Sequence, residues 1–238
     1  MTSNQLDGYS VSSLSLDPHS TPAWLSQLAA LIFDCSDDPF RKAWTEQLRA
    51  ALTRLDGAVP FRLVHDWHAN SVSSLVIESC AQRGLSVQEH EDVRKLHRDA
   101  WDGRSVGEET WRGTLESALH ALYFRSYPYD EAFALAASLA NSYARSHGAS
   151  TDEASKYGET YAELNTGANA RLFSAANAKA NSRAYAAAFA RSDHNLLARA
   201  YPSAYVQACV SLARTEHSGG AIAYARLGKG LIESMGRG

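Results

Sequence analysis

The sequence predicts an all-α protein: one multi-helix, bundle-like domain of about nine or ten helices over residues 21–238, preceded by a flexible tail over residues 1–20. Three observations carry this. Ser-x-x-Glu occurs as helix-opening punctuation at Ser86–Glu89, Ser105–Glu108 and Ser150–Glu153. In such a capping box the serine and the glutamate each satisfy an orphan backbone N–H. Residues 150–191 hold thirteen alanines in 42 positions and no proline, with acids mostly in the first half and bases mostly in the second, the order that suits the helix macrodipole. Alternating runs of β-branched and aromatic residues between turn signals, which would mark strands, are absent.

Taken in order, residues 1–20 are serine-rich and poor in apolar residues, hence the expected tail. Thr21-Pro22 reads as a cap followed by proline in the first turn, and Trp24, Leu25, Leu28, Ala29, Ile32 and Phe33 form a helical stripe. Asp37-Asp38-Pro39 repeats the cap-and-proline pattern ahead of a stripe from Phe40 through Trp44 and Leu48 to Leu55, closed by Gly57. Pro60 opens a third helix toward Gly84, weak at Ser71, Ser73 and Ser74, with Asn70 able to cap a separate helix. The boxes at Ser86 and Ser105 open the next two, the first running to Trp101 and the second carrying Trp111, Leu115, Leu119, Leu122 and Tyr123.

Arg125-Ser-Tyr-Pro-Tyr129 is a break, because proline disfavours helix in the residue before it. Asp130 then opens a helix through Phe133, Leu135, Leu139 and Tyr143 to the stop at Gly148. The Ser150 segment follows as one helix, or as two with a break at Asn165-Thr-Gly167. A helix from Ser192-Asp193 kinks or splits at Pro202, and a last helix covers 221–235, weakened by Gly228 and Gly230. No repeat of 34 or 40 residues points to a solenoid.

Composition narrows function. Net charge is −3, with −5 in residues 1–40, which argues against nucleic-acid binding. No 18-residue apolar run suggests a membrane span. With no basic, apolar N-terminal signal pattern and three widely spaced cysteines at 35, 80 and 209, a cytoplasmic protein with free thiols is expected.

No nucleophile elbow, phosphate loop, dinucleotide fingerprint or paired CxxC occurs, so no cofactor is implied. His65 and His68 share a helix face, but HExxH and paired ExxH motifs are absent, and no metal site is assigned. Asp34, Asp37 and Asp38 read as a helix cap. Glu116 and His120, at i and i+4, are the catalytic candidates, because a carboxylate there could orient the imidazole for proton transfer. Tyr123, Arg125, Tyr127 and Tyr129 are the binding candidates, a polar-aromatic group of interface composition at a loop. Two readings stand. One is an interaction or regulatory protein that holds a protein partner. The other is an enzyme or binder acting on an apolar small molecule in a pocket lined by Tyr, His and Arg.

Overall fold

The structure, a computed structural model, describes residue 16, residues 21–214 and residues 220–237. The expected tail therefore lies outside the described residues, apart from Leu16, which packs on the core. The helices are α1 (Ala23–Asp34), α2 (Asp38–Arg54), α3 (Arg62–Trp67), α4 (Ser73–Gln82), α5 (Gln88–Trp101), α6 (Glu108–Arg125), α7 (Tyr129–Ser146), α8 (Thr151–Arg191), α9 (His194–Arg199), α10 (Pro202–Ala213) and α11 (Ala221–Arg237). A π-helical turn at His68–Val72 joins α3 to α4, which makes ten rods among the described residues. The protein is all-α, with no strand among the described residues.

The body is built on tryptophans. Trp24, Trp44, Trp67 and Trp111 are all buried. A buried indole loses stability where its N–H finds no acceptor. Trp24 Nε1 donates to His194 Nδ1 at 2.8 Å, Trp44 Nε1 to the Gly228 carbonyl at 2.9 Å and Trp67 Nε1 to the Leu227 carbonyl at 3.0 Å. Two of the three thus fasten α11 through its backbone. This is why Gly228 and Gly230 do not interrupt the helix, which continues to Arg237. A Cβ at Gly228 would lie 2.9 Å from Ile32 Cγ2 and from Trp44 Nε1, and one at Gly230 would lie 2.0 Å from Ser71 Oγ on the π turn. The serine-rich middle of the third helix is accordingly not a break. It is a widened turn pressed against α11.

The other part of the molecule is α8, 41 residues long with no interruption at 165–167, about 60 Å at 1.5 Å per residue. Its capping box forms in full: Ser150 Oγ accepts from Glu153 N and Glu153 Oε2 accepts from Ser150 N. The boxes at Ser86 and Ser105 do not form. Ser86 Oγ donates to the Glu89 carboxylate instead, and α6 begins at Glu108 with Gly107 as an unassisted cap. The α9–α10 pair is split at Tyr201, which is in the left-handed region (φ 53°) ahead of Pro202.

Along α8 a buried row runs through Ala154, Gly158, Ala162, Thr166, Ala170, Ser174, Ala178, Ser182 and Ala186, joined in the body by Tyr185, Ala188 and Phe189. Every fourth residue is small and buried. Against this seam α6 and α7 run antiparallel to α8, one after the other. Glu108 meets Arg191 (3.1 Å), the Tyr123 hydroxyl accepts from Asn181 Nδ2 (2.7 Å), and the Tyr127 and Phe173 rings lie 5.8 Å apart. A helix turns about 100° per residue, so positions four apart advance about 40° around it, in the right-handed sense. A single straight partner could not stay on such a seam. The break at Ser126–Pro128 lets the partner change direction, as α6 gives way to α7.

Helix α7 packs on α8 and has no other substantial neighbour among the described residues. With the first half of α8 it makes a two-helix arm that projects from the body. The helices approach closely: a Cβ at Gly158 would lie 2.5 Å from the Ala137 carbonyl oxygen. The α7 residue buried against α8 is Ala140, while of the apolar stripe read from the sequence Phe133 is half-buried and Leu135, Leu139 and Tyr143 are exposed. Small residues fill the seam, so the large ones are left outside.

Gly158→Ala should loosen the arm by about 1–3 kcal/mol, the usual cost of overpacking. Gly167→Ala should instead tighten it by about 0.5–1 kcal/mol through helix propensity, because its Cβ would meet only ordinary contacts at 3.6 Å or more. Hydrogen exchange of the α7 amides reads both. Faster exchange with the first and slower with the second is expected, and equal effects would contradict the seam.

Candidate functional site

Read in steps of four, α8 separates into rows. Beside the small seam runs Ser155, Glu159, Glu163, Gly167, Arg171, Ala175, Lys179 and Arg183, which carries nearly all the charge of the helix interior. The row after that, from Thr160, is Leu164, Ala168, Leu172, Ala176 and Ala180. The last is Tyr157, Tyr161, Asn165, Asn169, Phe173, Asn177, Asn181, Tyr185 and Phe189. Two adjacent rows are therefore uncharged from residue 157 onward, and on the arm they face solvent.

Tyr157 and Tyr161, with Asn165 and Asn169, form one wall of an open groove of about 580 Å³ along the arm. The facing wall is α7, through Ala132, Leu135, Ala136, Leu139, Ala140 and Tyr143. None of these ten residues is charged. Leu135, Leu139 and Tyr143 are 62%, 63% and 58% exposed, and on the outer row Leu164 and Leu172 are 70% and 69% exposed. Scattered single apolar residues are ordinary on a surface, but a contiguous uncharged strip of leucine and tyrosine marks an interaction site. Apolar spacing along α7 marks a helix but does not say which face is covered. The signal that finds the exposed strip is the four-residue period.

The residues singled out from sequence divide between arm and body. Tyr123 is buried, and its hydroxyl takes the Asn181 amide; burial pushes its pKa up to about 12. Arg125 turns back into the body and donates from Nη1 to the Ser86 carbonyl (3.1 Å) and Cys80 Sγ (3.2 Å). Tyr127 packs on Phe173 at the root of the arm, and Tyr129 stacks on Phe133 at 6.3 Å and is 43% exposed. The four do not converge on one surface. Glu116 and His120 are both exposed on the rim of an open groove of about 550 Å³ between α6 and α8, shared with Glu89, Gly113 and Ala175. No hydrogen bond joins Glu116 to His120 among the described residues.

The histidines of the third helix are inside the body. His65, His68 and His97 are all buried among Trp111, Phe189 and Tyr205. His68 stacks on His97 with centroids 4.6 Å apart, and His65 Nδ1 lies 3.1 Å from His97 Nδ1. Two neutral imidazoles share that bond with one donor and one acceptor. Placing the proton on His97 leaves its unpartnered Nε2 as a bare nitrogen and not a stranded N–H. Loss of water on burial lowers His65 to about 4, and lowers His68 to about 3 with help from His65. It also lowers His97 well below its ordinary value. His90, nearby, is lowered to about 4 by burial and by Arg125. Among the described residues no group of three or more His, Cys, Asp or Glu is arranged to hold a metal. The enclosed space beside this cluster, bounded by His90, Val93, Leu115 and Tyr205, is about 10 Å³, room for at most a water molecule. The histidine cluster is a filled core.

No protein-family model, curated protein or solved structure matches the chain.

The cluster makes stability depend on pH. In the unfolded chain the four histidines titrate near 6.5, while the native body keeps them neutral to about pH 4. The unfolded state therefore binds more protons below pH 6.5. Stability is complete above that value and falls as pH drops toward 4, by about 1.4 kcal/mol per pH unit for each such histidine. The urea midpoint should fall between pH 6.5 and 5, and His68→Phe should make the fall shallower. A midpoint unchanged across that interval would contradict the assignment.

Proposed function

We propose that this is an interaction protein: the body holds the α7–α8 arm outward, and the arm's uncharged groove takes an apolar face of a protein partner. The observation that carries the reading is the groove itself, a strip of leucine and tyrosine on a hairpin with nothing packed over it among the described residues. An amphipathic helix laid into a hydrophobic groove is a recurrent mode of recognition, anchored by residues spaced three and four apart. Tyrosine supplies contact area with little rotamer entropy to lose, and its hydroxyl, with Asn165 and Asn169, leaves polar partners at the rim. The proposed location is the cytoplasm. Three free cysteines, of which Cys80 and Cys209 are buried, suit a reducing compartment, and no described helix is long and apolar enough to cross a membrane.

The small-molecule reading is supported less. The groove beside His120 is open, and the enclosed space beside the buried histidines is too small for a ligand.

A photo-reactive amino acid placed at Leu139 tests the proposal in extract from the source cells. Light should yield a protein adduct at position 139, and little at Arg54, which is exposed on the body. Adding Leu135→Glu should reduce the yield about tenfold or more, as expected for a hot-spot residue worth about 1.4 kcal/mol or above. Equal yields at 139 and 54 would overturn it.

A further inference from the structure

The arm carries a second seam, unlike the first. Tyr157, Tyr161, Leu164, Ala168 and Leu172 follow one another at spacings of four, three, four and four. On a helix of 3.6 residues per turn they point within an arc of about 80°. This is the near-heptad spacing with which helices pair in coiled coils and four-helix bundles, at a crossing of about 20°. On α7, Ala132, Ala136, Leu139 and Tyr143 repeat the four-three-four spacing. Helix α8 thus uses a four-residue seam against α7, and both helices of the arm carry a bundle-type spacing along the groove. Two helices already in register need two more to close a bundle.

The charges suit a closing in which each helix of the arm meets its own copy antiparallel. Helix α7 begins with Asp130 and Glu131 and ends with Arg145. Along α8, Asp152 and Glu153 stand at the start, and Arg171 stands where the arm joins the body. Each helix of the arm is acidic at its N-terminal end and basic at the other. Laid antiparallel against a copy of itself, α7 sets Asp130 and Glu131 beside the partner's Arg145, and α8 sets Asp152 and Glu153 beside the partner's Arg171. Laid parallel, like charges meet at both ends, and the helix dipoles add to the conflict.

The area is sufficient. Seven residues form this face: Leu135, Leu139 and Tyr143 on α7, and Tyr157, Tyr161, Leu164 and Leu172 on α8. They are 44–70% exposed. At about 200 Å² for a fully exposed side chain of this size they offer on the order of 800 Å² per chain, the area a standard stable interface buries on each partner. A single helix in the groove would leave Leu164 and Leu172, on the outer row, uncovered.

We infer that the occupant of the arm is the arm of a second copy of this chain, the two packed antiparallel about a twofold axis into a four-helix bundle. The inference rests on the reading of the arm as a protein-binding surface and names its partner. A twofold interface must be self-complementary, and the opposed charges at the two ends of each helix meet that requirement.

Sedimentation of the full chain at micromolar concentration is the test, with helical content followed by circular dichroism. Wild type should sediment as a dimer, and Leu135→Glu/Leu139→Glu as a monomer of unchanged helicity, since both side chains lie outside the hairpin seam. Asp130→Arg/Glu131→Arg and Arg145→Glu should each dissociate about tenfold or more readily. An equimolar mixture of these two should regain wild-type association, because each restores the charge its partner lost. A wild-type monomer overturns the inference; adduct formation with a different protein at position 139 would then leave the binding arm itself standing. A dimer indifferent to the leucine changes, or charge variants that fail to complement each other, also overturns it.

Discussion

The constraint on which the arm and its attachment depend is the distance between α8 and its partners. At Gly158 the backbone of α7 comes so near that no side chain fits between them. That approach holds only if small residues recur wherever α8 turns toward its partner, and they do so at every fourth position from Ala154 to Ala186. A period of four is longer than the helix's own 3.6, so the line of contact winds around α8. Two features follow that look unrelated in the chain. One is the proline break between α6 and α7. The other is the uninterrupted run of α8 through Asn165, Thr166 and Gly167, where Thr166 is one more small member of the seam and breaks nothing.

The same geometry decides which side chains are left for other work. A seam of alanine, glycine and serine buries little apolar area per residue, so the hairpin holds together by closeness and not by bulk. The leucines and tyrosines of the arm are surplus to it. They line up because the period that places small residues inward places large ones in a row of their own. In the body the same tyrosine row continues as Tyr185 and Phe189, and there it is buried against His65, Trp111 and Tyr205. One row of α8 thus serves as core at one end and as surface at the other, and the difference lies only in whether other helices stand over it.

Much of the fold was legible in the sequence because helix ends are local chemistry. Asp37 with Pro39, the Ser150 box, Asp193 and the stop at Gly148 are read from a few neighbouring residues, and the caps form as those residues imply. The boxes at Ser86 and Ser105 matched the same pattern without forming, since a serine three residues before a glutamate can bond to the carboxylate instead, as Ser86 does. What the sequence reading did not reach is non-local. Gly228 and Gly230 look like helix breakers until Trp44 and Ser71 are seen against them. Arg125 looks like a surface anchor until Ser86 and Cys80 turn it inward. Leu135 and Leu139 look like core because apolar periodicity alone cannot say whether a second layer exists to cover them.

The body then has a clear part in the arrangement. A two-helix hairpin with an alanine seam is too small to fold alone. It persists because α8 continues for some twenty residues into a core of tryptophans and neutral histidines, where Tyr185 and Phe189 anchor it and Arg191 closes on Glu108. Those histidines serve the anchorage only while uncharged. Protonation in the body would act first on the rings that hold Phe189, and so on the root of α8, before it reached any residue of the arm. The rigidity of the exposed groove is thus set in the interior of the body, by groups that never touch what the groove binds.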